Sequence, residues 1–124
     1  MQKKRIICVD DDESILESYK EVFEDLGFEV LLGNNGFDLG CMINESNVAA
    51  LIVDLSMPGL NGLTAIKRIS VGNKSLLPKL VVVSGILDTK VREDLEKLNV
   101  QYLRKPVDFD VLVSTVKKIT NISS

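Results

Sequence analysis

Four stretches of this 124-residue chain bring side chains able to do chemistry to the end of an apolar run. Ile6-Ile7-Cys8-Val9 leads into Asp10-Asp11-Asp12, Ala49 to Val53 into Asp54, Leu80 to Val83 into Ser84, and Val100 to Leu103 is followed by Lys105-Pro106. Carboxylates gathered in one pocket repel, so their pKa values rise or a cation sits among them. An all-oxygen donor set suits a hard divalent ion. Mg²⁺ in particular keeps several waters beside one or two carboxylates. Asp11, Asp54 and the backbone carbonyl of Ser56 are the candidate ligands. The same pocket suits a phosphoryl group, whose transfer needs a positioned nucleophile and positive groups for the equatorial oxygens. Asp54 is the candidate nucleophile, which would form an aspartyl phosphate. Lys105 and Ser84 are the candidates to meet the oxygens. The chain contains no His, so any histidine chemistry must come from a partner.

The apolar runs that position these groups read as strands, and a fifth, Phe28 to Leu32, follows Gly27. Their unbroken apolar character means burial on both faces, as in a parallel sheet between helices. Ile15, Leu16, Tyr19, Val22, Phe23 and Leu26 recur at helical spacing, and Gly27 suits a left-handed C-terminal cap. Phe37 to Ile43, Leu63 to Ile69, Val91 to Leu98 and Phe109 to Ile119 repeat the pattern. Asn61, Asp88 and Asp108 are cap candidates. The alternation, (βα)5, predicts one five-stranded parallel sheet with right-handed crossovers and helices on both faces. The expected arrangement is the doubly wound α/β fold with the flavodoxin-like order 2-1-3-4-5, one of the common orders of such sheets. In such sheets ligands bind beyond the carboxyl ends of the strands, near the switch in strand order, where Asp10, Asp11 and Asp54 would meet.

Composition narrows the function classes. The size suits one domain spanning 1–124. The net charge is -3 and the 15 Lys and Arg are scattered, so direct nucleic-acid binding is not expected. No apolar run reaches the roughly 20 residues of a membrane helix. Cys8 and Cys41 lack CxxC spacing and are expected to be reduced packing residues in a cytoplasmic protein. Met42 and Met57 read as gap fillers.

Val9-Asp10-Asp11-Asp12, Leu51 to Gly62 (LIVDLSMPGLNG), Val81 to Gly85 (VVVSG) and Tyr102 to Pro106 (YLRKP) resemble, across essentially the whole chain, the receiver domains of two-component response regulators. Asp11 and Asp54 lie 43 residues apart, Asp54 and Ser84 30, and Ser84 and Lys105 21; four motifs in this order make the match specific. The resemblance implies that Asp10 and Asp11 form the acidic pair, Asp10 reaching the metal through a water. It implies that Asp54 accepts the phosphoryl group and Lys105 binds it. Ser84 is then the switch hydroxyl, Tyr102 the switch aromatic, and the Lys105-Pro106 bond cis. The donor would be a histidine kinase or histidine phosphotransfer protein. The fourth helix, fifth strand and fifth helix would form the face that meets an output domain or a second receiver. Such a domain is a switch rather than an enzyme, catalysing only its own phosphorylation and dephosphorylation. Asn61, Gly85 and Asn99 depart mildly from the family, in which Asp, Ala and Gly are commoner. Whether the chain is free-standing or cut from a longer regulator or hybrid kinase stays open.

Each motif also has a plainer reading. Asp10 to Asp12 could be a solvated helix start, since acidic residues favour the first turn; Asp12 and Glu13 are expected to be that. Asp54 could form a turn before Pro58-Gly59, Ser84 another, and Lys105 could be a surface lysine. Tyr102 also fits a half-buried core aromatic. Among rival functions, a haloacid dehalogenase-type phosphatase needs an acid where Ser56 stands. A flavin carrier needs a Ser/Thr/Gly-rich loop where the acidic run would repel phosphate. A receiver serving only as an interaction module would usually lack the acceptor, the acidic pair or the lysine.

Overall fold

In the computed structural model, residues 3–55, 62–85 and 89–120 are described. Strands β1 (Arg5–Val9), β2 (Glu29–Gly33), β3 (Val48–Asp54), β4 (Leu80–Ser84) and β5 (Gln101–Arg104) alternate with helices α1 (Glu13–Asp25), α2 (Gly36–Met42), α3 (Gly62–Gly72), α4 (Thr89–Lys97) and α5 (Phe109–Thr120). All strand pairs are parallel, as the alternation predicts, in the expected order β2-β1-β3-β4-β5.

Strand alternation divides the core into two layers. Ile7, Val9, Leu51, Val53, Leu80 and Val82 pack with Leu39 and Ile43 around α2, Ile66 and Ile69 of α3, and Leu95 of α4. Ile6, Cys8, Ala50, Ile52, Val81 and Val83 pack with Leu16, Tyr19 and Phe23 of α1 and with Leu112 and Val116 of α5. Every residue of β3 and β4 is buried, which accounts for their unbroken apolar runs. The outer strands β2 and β5 are only partly covered, hence their weaker patterns.

Local chemistry fixes the helix ends. Asp12 caps α1, its side chain accepting from the Ser14 and Ile15 amides. Gly27, at φ +95°, ends it, with the Phe28 amide bonded to the Phe23 carbonyl. Asn99 repeats that ending after α4 at φ 57°, the Val100 amide reaching the Leu95 carbonyl. Asp108 caps α5 through the Asp110 and Val111 amides. Asn35 caps α2 by accepting from the Asp38 amide, which apolar spacing alone does not reveal. The candidate caps Asn61 and Asp88, together with Met57, lie outside the described residues. A 3₁₀ segment, Lys74–Lys79, buries Leu76 and Leu77 between α3 and β4; its apolar pair is too short to register as an element.

One expectation fails. Cys8 is buried, but Cys41 is exposed. On α2 the residues facing the sheet are Leu39 and Ile43, and Cys41, two positions after Leu39, falls on the opposite side of the helix.

Candidate functional site

β1 and β3 end side by side, Val9 pairing Val53, so the next residues, Asp10 and Asp54, meet at the carboxyl edge of the sheet. Each shares the face of the residue two before it, Cys8 and Ile52, and so lies on the α1 and α5 side. Asp10 and Asp54 are 1% and 2% exposed, whereas Asp11 is exposed. One carboxylate oxygen from each of the three lies within 4.8 Å of the others. Lys105 closes the pocket from the end of β5, its Nζ 3.0 Å from Asp10 Oδ2 and 3.1 Å from Asp54 Oδ2. The Lys105 amide donates to the Ser84 carbonyl at 3.0 Å, tying the ends of β4 and β5 together, and the Lys105-Pro106 bond is cis.

Burial raises the pKa of Asp10 above the ordinary carboxylate range, and the charge of Asp54 adds to this. The Asp12 amide, 3.0 Å from Asp10 Oδ1, and Lys105 pull the other way without cancelling it. Burial also works against the Lys105 charge, but its hydrogen bonds to Asp10 and Asp54 outweigh that and raise its pKa. The lysine therefore stays an ammonium shared by two buried carboxylates. Three consecutive aspartates have three roles: Asp10 lies buried in the pocket, Asp11 stands at its mouth, and Asp12 caps a helix. Two buried carboxylates and an exposed one, with the Lys105 ammonium beside them, fit a small hard divalent ion and, next to it, an anionic group reaching Lys105.

Ser84 is 1% exposed at the end of β4, the strand beside β3. By alternation it shares a face with Val82, and through the pairing of Val82 with Tyr102 it shares that face with Tyr102 as well. Tyr102 does not join the pocket. It lies half-buried against the layer under α2, α3 and α4, its hydroxyl donating to Glu96 Oε1 at 2.9 Å. Ser56 lies outside the described residues. Two neighbours escape sequence reasoning: Glu96, on an amphipathic helix whose exposed face gives no signal, and Tyr19, a helical core position. Burial raises the Tyr19 phenol, and Asp10 is the strongest of the charges acting on it; its hydroxyl is buried without a hydrogen-bond partner among the described residues.

The profile of the response regulator receiver domain family matches residues 6–117. The chain belongs to that family. Its fold and acidic pocket are those of a receiver domain, a phosphoacceptor signalling switch of two-component phosphorelays. It is 32% identical over 123 residues to the transcriptional regulatory protein CrdR of Helicobacter pylori, covering 98% of this chain and 56% of that protein. It is 26% identical over 124 residues to sporulation initiation phosphotransferase F of Bacillus subtilis, covering 100% and 99%. The receiver domain thus spans about half of the first relative and nearly all of the second. Among solved structures, the response regulator TrrA of Thermotoga maritima, in complex with Mg²⁺ and BeF, is 31% identical with a TM-score of 0.78, covering 94% of this chain and 98% of that one. No helix among the described residues is long and apolar enough to cross a membrane.

Proposed function

We propose that this receiver domain takes a phosphoryl group from the phosphohistidine of a histidine kinase or histidine phosphotransfer protein onto Asp54. The carrying observation is the buried pair Asp10 and Asp54 sharing the ammonium of Lys105 at 3.0 and 3.1 Å. An Asp54 carboxylate oxygen attacks phosphorus, the P–N bond to the partner's imidazole breaks, and the imidazole keeps the electron pair. Asp11, Asp54, the Ser56 carbonyl and, through a water, Asp10 would hold Mg²⁺, which when bound supplies the positive charge that lets carboxylates and phosphoryl oxygens share the pocket. Lys105 exchanges a carboxylate partner for a phosphoryl oxygen, and the Ser84 hydroxyl meets another. Movement of Ser84 then draws in Tyr102 and alters the surface of α4, β5 and α5, which an output domain or a second receiver reads. In this reading residues 1–124 act as one unit in the cytoplasm and catalyse only their own phosphorylation and dephosphorylation, with no direct role for nucleic acid.

The test is phosphorylation by acetyl phosphate with Mg²⁺, read by intact mass. Wild type gains one phosphoryl group, and chelating the metal suppresses the gain. Asp54→Asn stays unmodified while its circular dichroism spectrum is unchanged. A phosphoryl group on the Asp54 variant overturns the assignment.

A further inference from the structure

α4 and β5 are joined by a turn of three residues, Leu98 to Val100, in which Asn99 adopts φ 57° and the Asn99 amide donates to the Glu96 carbonyl. The tight return lays the last turn of α4 alongside the start of β5. Glu96 and Tyr102 consequently line one surface groove of about 430 Å³, with Asn99, Val100 and Gln101. Within it the Tyr102 hydroxyl donates to Glu96 Oε1 at 2.9 Å, while the ring rests on the layer that contains Leu95 and Val100. The phenol is raised above its ordinary range, and the bond to Glu96 is the largest cause. Nothing in the phosphoacceptor chemistry calls for a carboxylate at this place. Glu96 faces solvent near the C-terminal end of α4, where a helix dipole disfavours negative charge.

We propose that Glu96 is a positioning residue that latches Tyr102 in its resting position, setting how readily this receiver domain passes to its activated surface. The inference rests on the reading of Tyr102 as the switch aromatic. A ring held by its hydroxyl to the end of α4 cannot turn toward β4 without breaking that bond, so the bond belongs to the resting state alone. Binding at Asp54 must then supply what the latch holds back, and by linkage, removing the latch tightens binding there. Arg92, one turn before Glu96 on α4, has a buried Nε without a hydrogen-bond partner among the described residues. It offers the released carboxylate a cation at i,i+4 reach.

The experiment uses the full chain as wild type, Glu96→Ala, Tyr102→Phe and the double variant. NMR follows the residue-102 ring in the free proteins, and titration with beryllofluoride in the presence of Mg²⁺ gives apparent affinity. Glu96→Ala should move the free Tyr102 ring toward its beryllofluoride-bound resonances and tighten beryllofluoride binding by about two- to fivefold, the range of a solvent-exposed hydrogen bond. In the Tyr102→Phe background, which has no hydroxyl to latch, Glu96→Ala should change neither. An equal effect in both backgrounds makes Glu96 a mere surface charge and overturns the latch, as does a Tyr102 ring that Glu96→Ala leaves unmoved. If none of the four proteins binds beryllofluoride, the phosphoacceptor reading fails, and the ring position in the free proteins still decides the latch.

Discussion

Asp10→Asn should stabilise the metal-free protein, although it removes one end of a buried ion pair. The Asp10 and Asp54 oxygens lie within 4.8 Å, a repulsion of roughly 3.5 kcal/mol at an effective dielectric constant of about 20. Attraction to Lys105 at 3.0 Å is worth roughly 5.5 kcal/mol on the same scale. Stripping water from a carboxylate that is 1% exposed costs several kcal/mol more, so repulsion and desolvation together exceed the attraction. Asparagine keeps an acceptor for the Asp12 amide, and Lys105 keeps Asp54. A net gain of about 1 kcal/mol follows, or roughly 3–6 °C in melting temperature for a domain of this size. The sign agrees with the raised pKa of Asp10, for which burial is the largest cause. A raised carboxylate favours the fold below its ordinary pKa of about 3.9 and loses that contribution as pH rises through the folded value. The advantage of the variant should therefore grow as pH rises through the folded value and fade on acidification toward about pH 4. Thermal melts followed by circular dichroism in EDTA measure this directly. Millimolar Mg²⁺ should stabilise wild type more than the variant and narrow the gap. A variant that melts at or below wild type without metal, or whose advantage survives acidification, refutes the balance drawn here.

Tyr19→Phe keeps the ring packed between Phe23 and Phe109, at centroid distances of 6.5 and 5.8 Å, and deletes a buried hydroxyl without a partner among the described residues. Stability in urea should rise by about 1 kcal/mol, and a fall would mean the hydroxyl has a partner in solution. Asp108→Ala removes the acceptor for the Asp110 and Val111 amides and should cost about 1 kcal/mol in the same titration. Ser84→Ala should leave Asp54 open to acetyl phosphate while reducing the beryllofluoride-induced shift of the Tyr102 ring; an undiminished shift removes Ser84 from the relay.

Where burial is complete the chain announces itself. β3 and β4 are buried along their whole length, and the polar residues Asp54 and Ser84 mark their ends, so element and site are readable together. Gly27 and Asn99 are legible because a left-handed residue limits the choice of side chain. The burial of Asp10 against the exposure of Asp11 is not legible. Adjacent identical residues differ only through the pleat, which turns Asp10 into the α1 and α5 layer and Asp11 away from it. Electrostatic strain consequently sits on Asp10, although the acidic run by itself gives either residue an equal claim. Cys41 misled because α2 has only seven residues, too few for a helical pattern to fix which side faces the sheet. Glu96 is invisible for a different reason. Its partner lies six residues on, across a turn, and no periodicity links a helix surface to the neighbouring strand.

The ion pairs of Lys105 reach across 95 residues to Asp10 and 51 to Asp54. In folding terms these are late contacts, because closing so long a loop costs entropy that only the finished sheet offsets. β1 cannot pair with β3 until the chain between them has been made, and Lys105 reaches both only once β4 has been laid between β3 and β5. A partly folded or nascent chain would leave its aspartates without the lysine and present an incomplete acceptor site. Competence to be phosphorylated is therefore expected to appear with the last step of folding, so that only complete molecules enter the signalling pool.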